Sequence, residues 1–285
     1  MVTGATSGIG KATAAALAGR GAQVVLVSRD RGRGEAAAAE LAAAGGPAPR
    51  LEVADLASMG QVHTLADRLG ALERIDVLIN NAGFMAGQRR VTVDGFDEVF
   101  AVNHLAPFLL TNLLLGKLAA AGPARVITVT SDAHTAARLD LDDLQLEHGW
   151  QSWRAYANSK LANILFTREL ARRLEGSAVT ANCAHPGLVR TRFGREARLP
   201  MRAAVTLARP FMLSPRRGAR TVVYLATSPE VAGATGGYYV KSQRREPSPA
   251  ARDAAAARRL WQLSEELTGL KTGFTGTADD SWGRP

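Results

Sequence analysis

One pattern runs through this chain: short apolar runs without polar alternation, each followed by a stretch of helical periodicity. The runs fall at 24–27, 51–53, 75–79, 126–129, 179–184 and 238–240. A strand apolar on both sides must be covered on both faces, and a helical crossover after each strand makes its neighbours parallel. The pattern predicts an α/β fold, a Rossmann-type doubly wound parallel sheet with helices on both faces. Helices are expected near 8–19, 33–44, 58–72, 96–120, 153–175 and 216–227, then a loop at 243–250 and an amphipathic helix over 252–267. No linker composition or repeat divides the 285 residues. They read as a single domain, 1–285, with halves at 1–130 and 131–242 and a C-terminal helix and tail at 243–285. The Gly/Thr/Asp-rich tail from 269 onward is expected to be mobile.

Composition narrows the classes. No run approaches the ~18 consecutive apolar residues of a membrane span, and residues 1–10 lack the basic-then-apolar order of a signal peptide. Neither a transmembrane anchor nor secretion is therefore expected, and the location reads as cytoplasmic. The lone cysteine, Cys183, reads as a buried free thiol. A net charge of +9, carried mostly by arginine, lacks the aromatic interleaving or recognition helix of a nucleic-acid binder. It suits attraction of an anionic small molecule.

The opening segment is Thr3-Gly4-Ala5-Thr6-Ser7-Gly8-Ile9-Gly10. Between a strand and a helix, Gly4, Gly8 and Gly10 permit a tight turn and close backbone approach to a pyrophosphate, which the helix N-terminus then binds. The next strand ends at Ser28-Arg29-Asp30. A ribose 2′-hydroxyl usually meets a carboxylate there, whereas a 2′-phosphate needs a cation. Ser28 is uncharged, so Arg29 reads as that cation rather than as a solvated surface arginine; strand alternation would turn Asp30 away. NADP(H) is accordingly expected over NAD(H), with Asp55 and Leu56 approaching the adenine. Only three residues precede the turn, against ~5–6 in a typical strand. The flanking strands would face an under-filled slot with unpaired backbone groups, so an apolar segment upstream of Met1 is expected.

Tyr156 and Lys160 lie one helical turn apart, on one face. A phenol of free pKa ~10 beside an ammonium can move a proton near neutral pH, because the cation favours the phenolate. A bare Tyr-x-x-x-Lys is common on helices, and its company decides its meaning. That company is the glycine turn, Asn80-Asn81-Ala82-Gly83, Val102-Asn103-His104, Val129-Thr130-Ser131 and His185-Pro186-Gly187, in that order.

Over nearly its whole length the chain resembles the short-chain dehydrogenase/reductase family. Ser159-Lys160-Leu161-Ala162-Asn163, Leu225-Ala226-Thr227-Ser228-Pro229 and Ala257-Arg258-Arg259-Leu260-Trp261 are similar to its retinol dehydrogenase and WW-domain oxidoreductase branch. The resemblance implies interconversion of a carbonyl and an alcohol, with Asn103, Ser131, Tyr156 and Lys160 as the catalytic set. Tyr156 would be the proton donor or acceptor, Ser131 would steady the substrate oxygen, and Asn103 would hold a water linking Lys160 to solvent. Besides the glycine turn (Gly4, Thr6, Ser7, Gly8, Ile9, Gly10), it implies cofactor contacts from Asn81, Ala82, Gly83, Tyr156, Lys160, Pro186, Gly187, Val189 and Thr191. A homodimer or homotetramer pairing the helices at 96–120 and 153–175 is a further expectation of the resemblance.

Two other activities fit the same motifs: reduction of an activated C=C bond, as in protochlorophyllide reductases, and non-catalytic cofactor sensing. The presence of all four catalytic-type residues weighs against the second. His63, His104, His134 and His148 form no spaced ligand set, and no metal is expected. Ser131 and Tyr156 are widely separated; the segment between, with Asp140, Asp142, Asp143, Trp150 and Trp153, should arch beside the pocket. Residues 190–217 alternate arginines with apolar residues, as a lid over an apolar substrate, a membrane-surface helix or a helix packed on the core would do.

Overall fold

The computed structural model describes residues 1–190 and 212–270. The expected lid at 190–217 and the expected mobile tail therefore lie largely outside the described residues. The order is β1 (Val2–Thr3), α1 (Gly8–Ala18), β2 (Val25–Ser28), α2 (Arg31–Ala43), β3 (Arg50–Val53), α3 (Met59–Gly70) and β4 (Val77–Asn80). It continues with α4 (Glu98–Ala120), β5 (Ala124–Val129), α5 (Ser152–Arg173), β6 (Val179–His185), α6 (Pro215–Thr227), β7 (Tyr238–Val240), β8 (Gln243–Arg245) and α7 (Ala254–Thr268). The strands form one eight-stranded sheet in the order β3-β2-β1-β4-β5-β6-β7-β8, parallel except for the β7–β8 pair. This is the doubly wound Rossmann-type sheet that the alternation predicts.

Local chemistry sets the element ends. The side chains of Asp30, Ser58, Ser214 and Asp253 accept backbone N–H groups at the starts of α2, α3, α6 and α7, and Gly269 closes α7 in the left-handed region at φ +66°. Asp30 starts α2 two residues earlier than expected. β8 was expected as loop; its three polar residues are exposed and pair only with β7 at the sheet edge.

β1 lies at the sheet centre, where Val2 pairs with Leu26 and Ile79 and Thr3 with Val27. Met1 extends the ladder: its carbonyl accepts the Ile79 N–H at 3.0 Å and its ammonium donates to the Val77 carbonyl at 2.8 Å. The expected gap of unpaired groups is thus closed on the β4 side, and burial lowers the ammonium pKa to about 6.

The two sheet faces bury separate apolar clusters, the larger centred on α4 and α5. α4 is apolar enough by length and composition to cross a membrane, and most of it is buried inside the fold. Against α4 and α5 packs α7, whose Trp261 ring meets Phe108 at 4.9 Å and Phe166 at 5.8 Å while the Arg173 guanidinium stands 4.3 Å above it. On residues 106–120 only Gly116 and Ala120 are exposed, and on α5 only Trp153 and Arg172. Both helices are thus largely buried or half-buried within one chain.

Trp261→Ala removes the centre of this aromatic cluster and should cost ~3–5 kcal/mol, read as an earlier urea midpoint at unchanged slope. A loss below ~1 kcal/mol would show that α7 is only loosely attached.

Candidate active site

The parallel strands β1 and β4 diverge at the sheet centre, β1 leading outward through β2 and β4 through β5. Crevices form outside the carboxyl ends of strands at such a reversal. A cavity of about 510 Å³ opens there.

The glycine turn forms one wall. Gly4 and Gly8 have φ of +64° and +56°, and a Cβ on Gly10 would fall 2.4 Å from both Asn81 Nδ2 and the Gly4 carbonyl. Larger residues are thus excluded by conformation at the first two and by space at the third. Asn81 Nδ2 donates to the carbonyls of Thr3 (2.8 Å) and Gly4 (3.3 Å), while the backbone N–H groups of Asn81 and Ala82 both donate to Thr3 Oγ1 at 3.0 Å. The motif after β4 therefore staples the turn in place. Unlike the helices capped above, α1 has no side-chain cap: Ser7 is extended and its hydroxyl bonds no N–H of the first turn among the described residues. Thr6, Ser7, Gly8, Ile9 and Gly10 line the cavity. Uncapped N–H groups at a helix N-terminus suit a phosphate, so the residues present fit a dinucleotide pyrophosphate.

At the end of β2, Ser28, Arg29 and Asp30 line the cavity together with Arg33. Asp30 is not a free ribose partner: it accepts the Arg33 N–H at 2.8 Å and lies 3.5 Å from the Arg33 guanidinium. That backbone bond holds its carboxyl below the usual range. Arg33 was not foreseen from the sequence. The signal for it was its place three residues after a capping aspartate, one turn along the helix. Asp55, Leu56, Ala82 and Gly83 also line this space.

At the opposite end Ser131, Tyr156 and Lys160 converge. The Tyr156 hydroxyl is hydrogen-bonded to the Ser131 side chain. Lys160 Nζ donates to the Val129 carbonyl at 3.1 Å and stands 5.5 Å from the Tyr156 ring centre. Burial acts on both groups, raising the phenol to about 12 and lowering the ammonium to about 8. Burial of the phenol thus outweighs the lowering by its Ser131 hydrogen bond, and the shift is upward where the sequence alone suggested a downward one from the lysine charge.

Asn103 stands just behind the cavity wall, in a π-helical stretch, Ala101–Leu105, inside α4. Its Oδ1 accepts the Phe84 N–H, and its Nδ2 donates to the Phe84 carbonyl and to Ser159 Oγ. Gly83 separates it from Lys160: a Cβ there would lie 3.2 Å from both Asn103 Oδ1 and Lys160 Nζ. Pro186, Gly187 and Val189 line the cavity; Thr191 lies outside the described residues.

Phe84, Met85, Trp153 and Leu188 add apolar surface, Trp153 and Leu188 being among the few exposed large apolar side chains of the described residues. Of the arching segment, Trp153 reaches the cavity, whereas Trp150 turns away and donates to buried Asp97 at 2.9 Å. His104 is buried between Asn163 and Ser264, and burial lowers it to about 4.

A family model described as short chain dehydrogenase matches residues 1–201. The chain is 44% identical to "Retinol dehydrogenase 14" of Homo sapiens over 293 residues, covering 95% of this chain and 86% of the relative. Among solved structures, an uncharacterized protein from Mycobacterium Paratuberculosis superposes with a TM-score of 0.77 at 38% identity, covering 94% of this chain and 91% of that one. The "Pseudomonas aeruginosa RhlG/NADP active-site complex" matches with a TM-score of 0.67 at 30% identity, covering 83% and 91%.

The burial of Tyr156 is open to titration. Without added dinucleotide, its ionisation, taken as the difference in tyrosinate absorbance between parent and Tyr156→Phe, should lie well above pH 10. A tyrosinate forming near pH 7 would contradict the arrangement.

Proposed function

The chain belongs to the short-chain dehydrogenase/reductase family, and from that premise we propose that it interconverts an aldehyde or ketone and the corresponding alcohol, with NADP(H) as cofactor and Tyr156 as proton donor and acceptor. One observation carries this reading: a single cavity joins an uncapped glycine-turn helix N-terminus and two arginines to a Ser131–Tyr156–Lys160 cluster.

Bound NADPH would supply a hydride from nicotinamide C4 to the carbonyl carbon, and NADP⁺ would accept it in the reverse direction. The chain handles the oxygen. Ser131 and Tyr156, already hydrogen-bonded to each other, are positioned to hold the carbonyl oxygen between them. A phenol whose pKa is about 12 is fully protonated at neutral pH and can give its proton to that oxygen as charge develops on it. The phenolate left behind is stabilised by Lys160, which at about 8 is still largely charged at pH 7. In the oxidative direction the alcohol proton passes to Tyr156. Asn103 supports the Phe84 backbone beside the site rather than touching Lys160 directly.

Cofactor choice follows from the end of β2. Arg29 and Arg33 offer two cations to a 2′-phosphate, while Asp30 is occupied by the start of α2. The aromatic and aliphatic residues at the cavity mouth suit an apolar carbonyl compound.

NADPH should bind ~10–100-fold more tightly than NADH, because charged hydrogen bonds contribute ~1.5–3 kcal/mol, and Arg29→Ala should lose most of that preference. Equal dissociation constants for the two cofactors would defeat this assignment. Tyr156→Phe should lower turnover of an aldehyde by at least ~10²-fold with NADPH affinity kept; a variant as fast as its parent would remove Tyr156 from the reaction.

A further inference from the structure

Directly beside Ser131 lies a group of side chains that the proposed reaction leaves unused. His185 Nδ1 accepts the backbone N–H of Asp132 at 3.2 Å. An N–H can only donate, so the neutral ring carries its proton on Nε2 and donates it to the Asp132 carboxylate at 3.0 Å. The other carboxylate oxygen accepts the Tyr238 hydroxyl at 2.6 Å. Burial, the largest influence on His185, lowers its pKa and favours this neutral form. With both ring nitrogens engaged, His185 has none left for a substrate.

The three residues sit on three separate elements. Asp132 directly follows Ser131 at the end of β5, His185 ends β6 and directly precedes Pro186-Gly187, and Tyr238 begins β7. We propose that His185, Asp132 and Tyr238 form a clamp that fixes Ser131 and the Pro186-Gly187 turn relative to each other across the reacting end of the cavity. The inference rests on the proposed function. Its members are positioning residues, acting through Ser131 and the turn. The serine backbone is held as well by His134, whose ring packs edge-on against Tyr238 at 5.2 Å: His134 Nδ1 donates to the Ser131 carbonyl at 2.8 Å and His134 Nε2 accepts the Ser248 N–H at 3.1 Å.

The test uses the full chain with NADPH and an aldehyde that the parent reduces. Asp132→Ala and His185→Asn should each lower kcat by about tenfold or more while KM for the aldehyde changes little, as expected when a reacting group is displaced and substrate binding is left intact. The double variant should be no slower than the slower single one, because the two act as a unit. Tyr238→Phe keeps the ring and deletes only the hydroxyl, so it decides the matter if the other variants fold poorly; its kcat should fall about threefold by the same reasoning. The clamp is overturned if folded Asp132→Ala and Tyr238→Phe stay within about twofold of the parent, or if the double variant shows the product of the single losses. Tyr156→Phe, run alongside, separates the two readings: its inactivity beside fully active clamp variants refutes the clamp alone, and its full activity refutes the proposed function. Histidine ring ¹⁵N spectra need no turnover; they should show His185 as the Nε2–H tautomer in the parent, and an Nδ1–H tautomer would overturn the clamp.

Discussion

The ammonium of Lys160 is buried, and it donates to a neutral carbonyl, that of Val129. Among the described residues no carboxylate stands within ion-pair distance of it. A buried cation without a counter-charge costs several kcal/mol, and here burial brings the pKa down only to about 8, leaving the charge largely in place at neutral pH. Such a charge is best offset by negative charge arising beside it: of the neighbours able to carry one, the Cys183 thiol is buried and raised to about 12, whereas the Tyr156 phenol lines the cavity. The cation therefore favours the state in which Tyr156 has given up its proton. Much of the surrounding architecture follows from housing it: α5 is buried on nearly every side, the end of β5 supplies the carbonyl, and Gly83 leaves room where a Cβ would press on Nζ.

The other end of the cavity depends on backbone rather than side-chain chemistry. A central parallel strand leads into a turn that only glycines can follow, and Thr3 and Asn81 bind that turn to the end of β4. α1 consequently starts with its first-turn N–H groups uncapped beside the cavity. The sheet sets the separation of the two ends: the glycine turn follows β1, while Ser131, Tyr156 and Lys160 gather beside the end of β5, two strands away in the sheet order.

What the sequence made legible was chiefly what local physics dictates. Gly4, Gly8 and Gly10 are backbone requirements, Tyr156 and Lys160 share a helix face by spacing alone, and unalternating apolar runs mark buried parallel strands. Features set by tertiary placement were harder to see. β8 is three polar, exposed residues whose only strand-like property is a neighbour to pair with. The π-helical stretch that turns Asn103 toward Phe84 and His104 toward the core leaves no mark in composition. Asp30 was visible as a charge but not as a cap, so the earlier start of α2 and the delivery of Arg33 to the cavity went unseen. Burial of the phenol, which reverses the expected direction of its shift, likewise depends on what packs around it.

The central claim is that this cavity passes a hydride to a carbonyl carbon while the protein delivers a proton to the oxygen. Reduction of an apolar aldehyde with NADPH deuterated at nicotinamide C4, followed by mass and NMR analysis of the product, tests it directly. The account predicts a primary alcohol with a single deuterium on the former carbonyl carbon and a solvent-derived hydrogen on oxygen. No deuterium transfer to any aldehyde or ketone, or deuterium found only on a carbon of a reduced C=C bond, would contradict it.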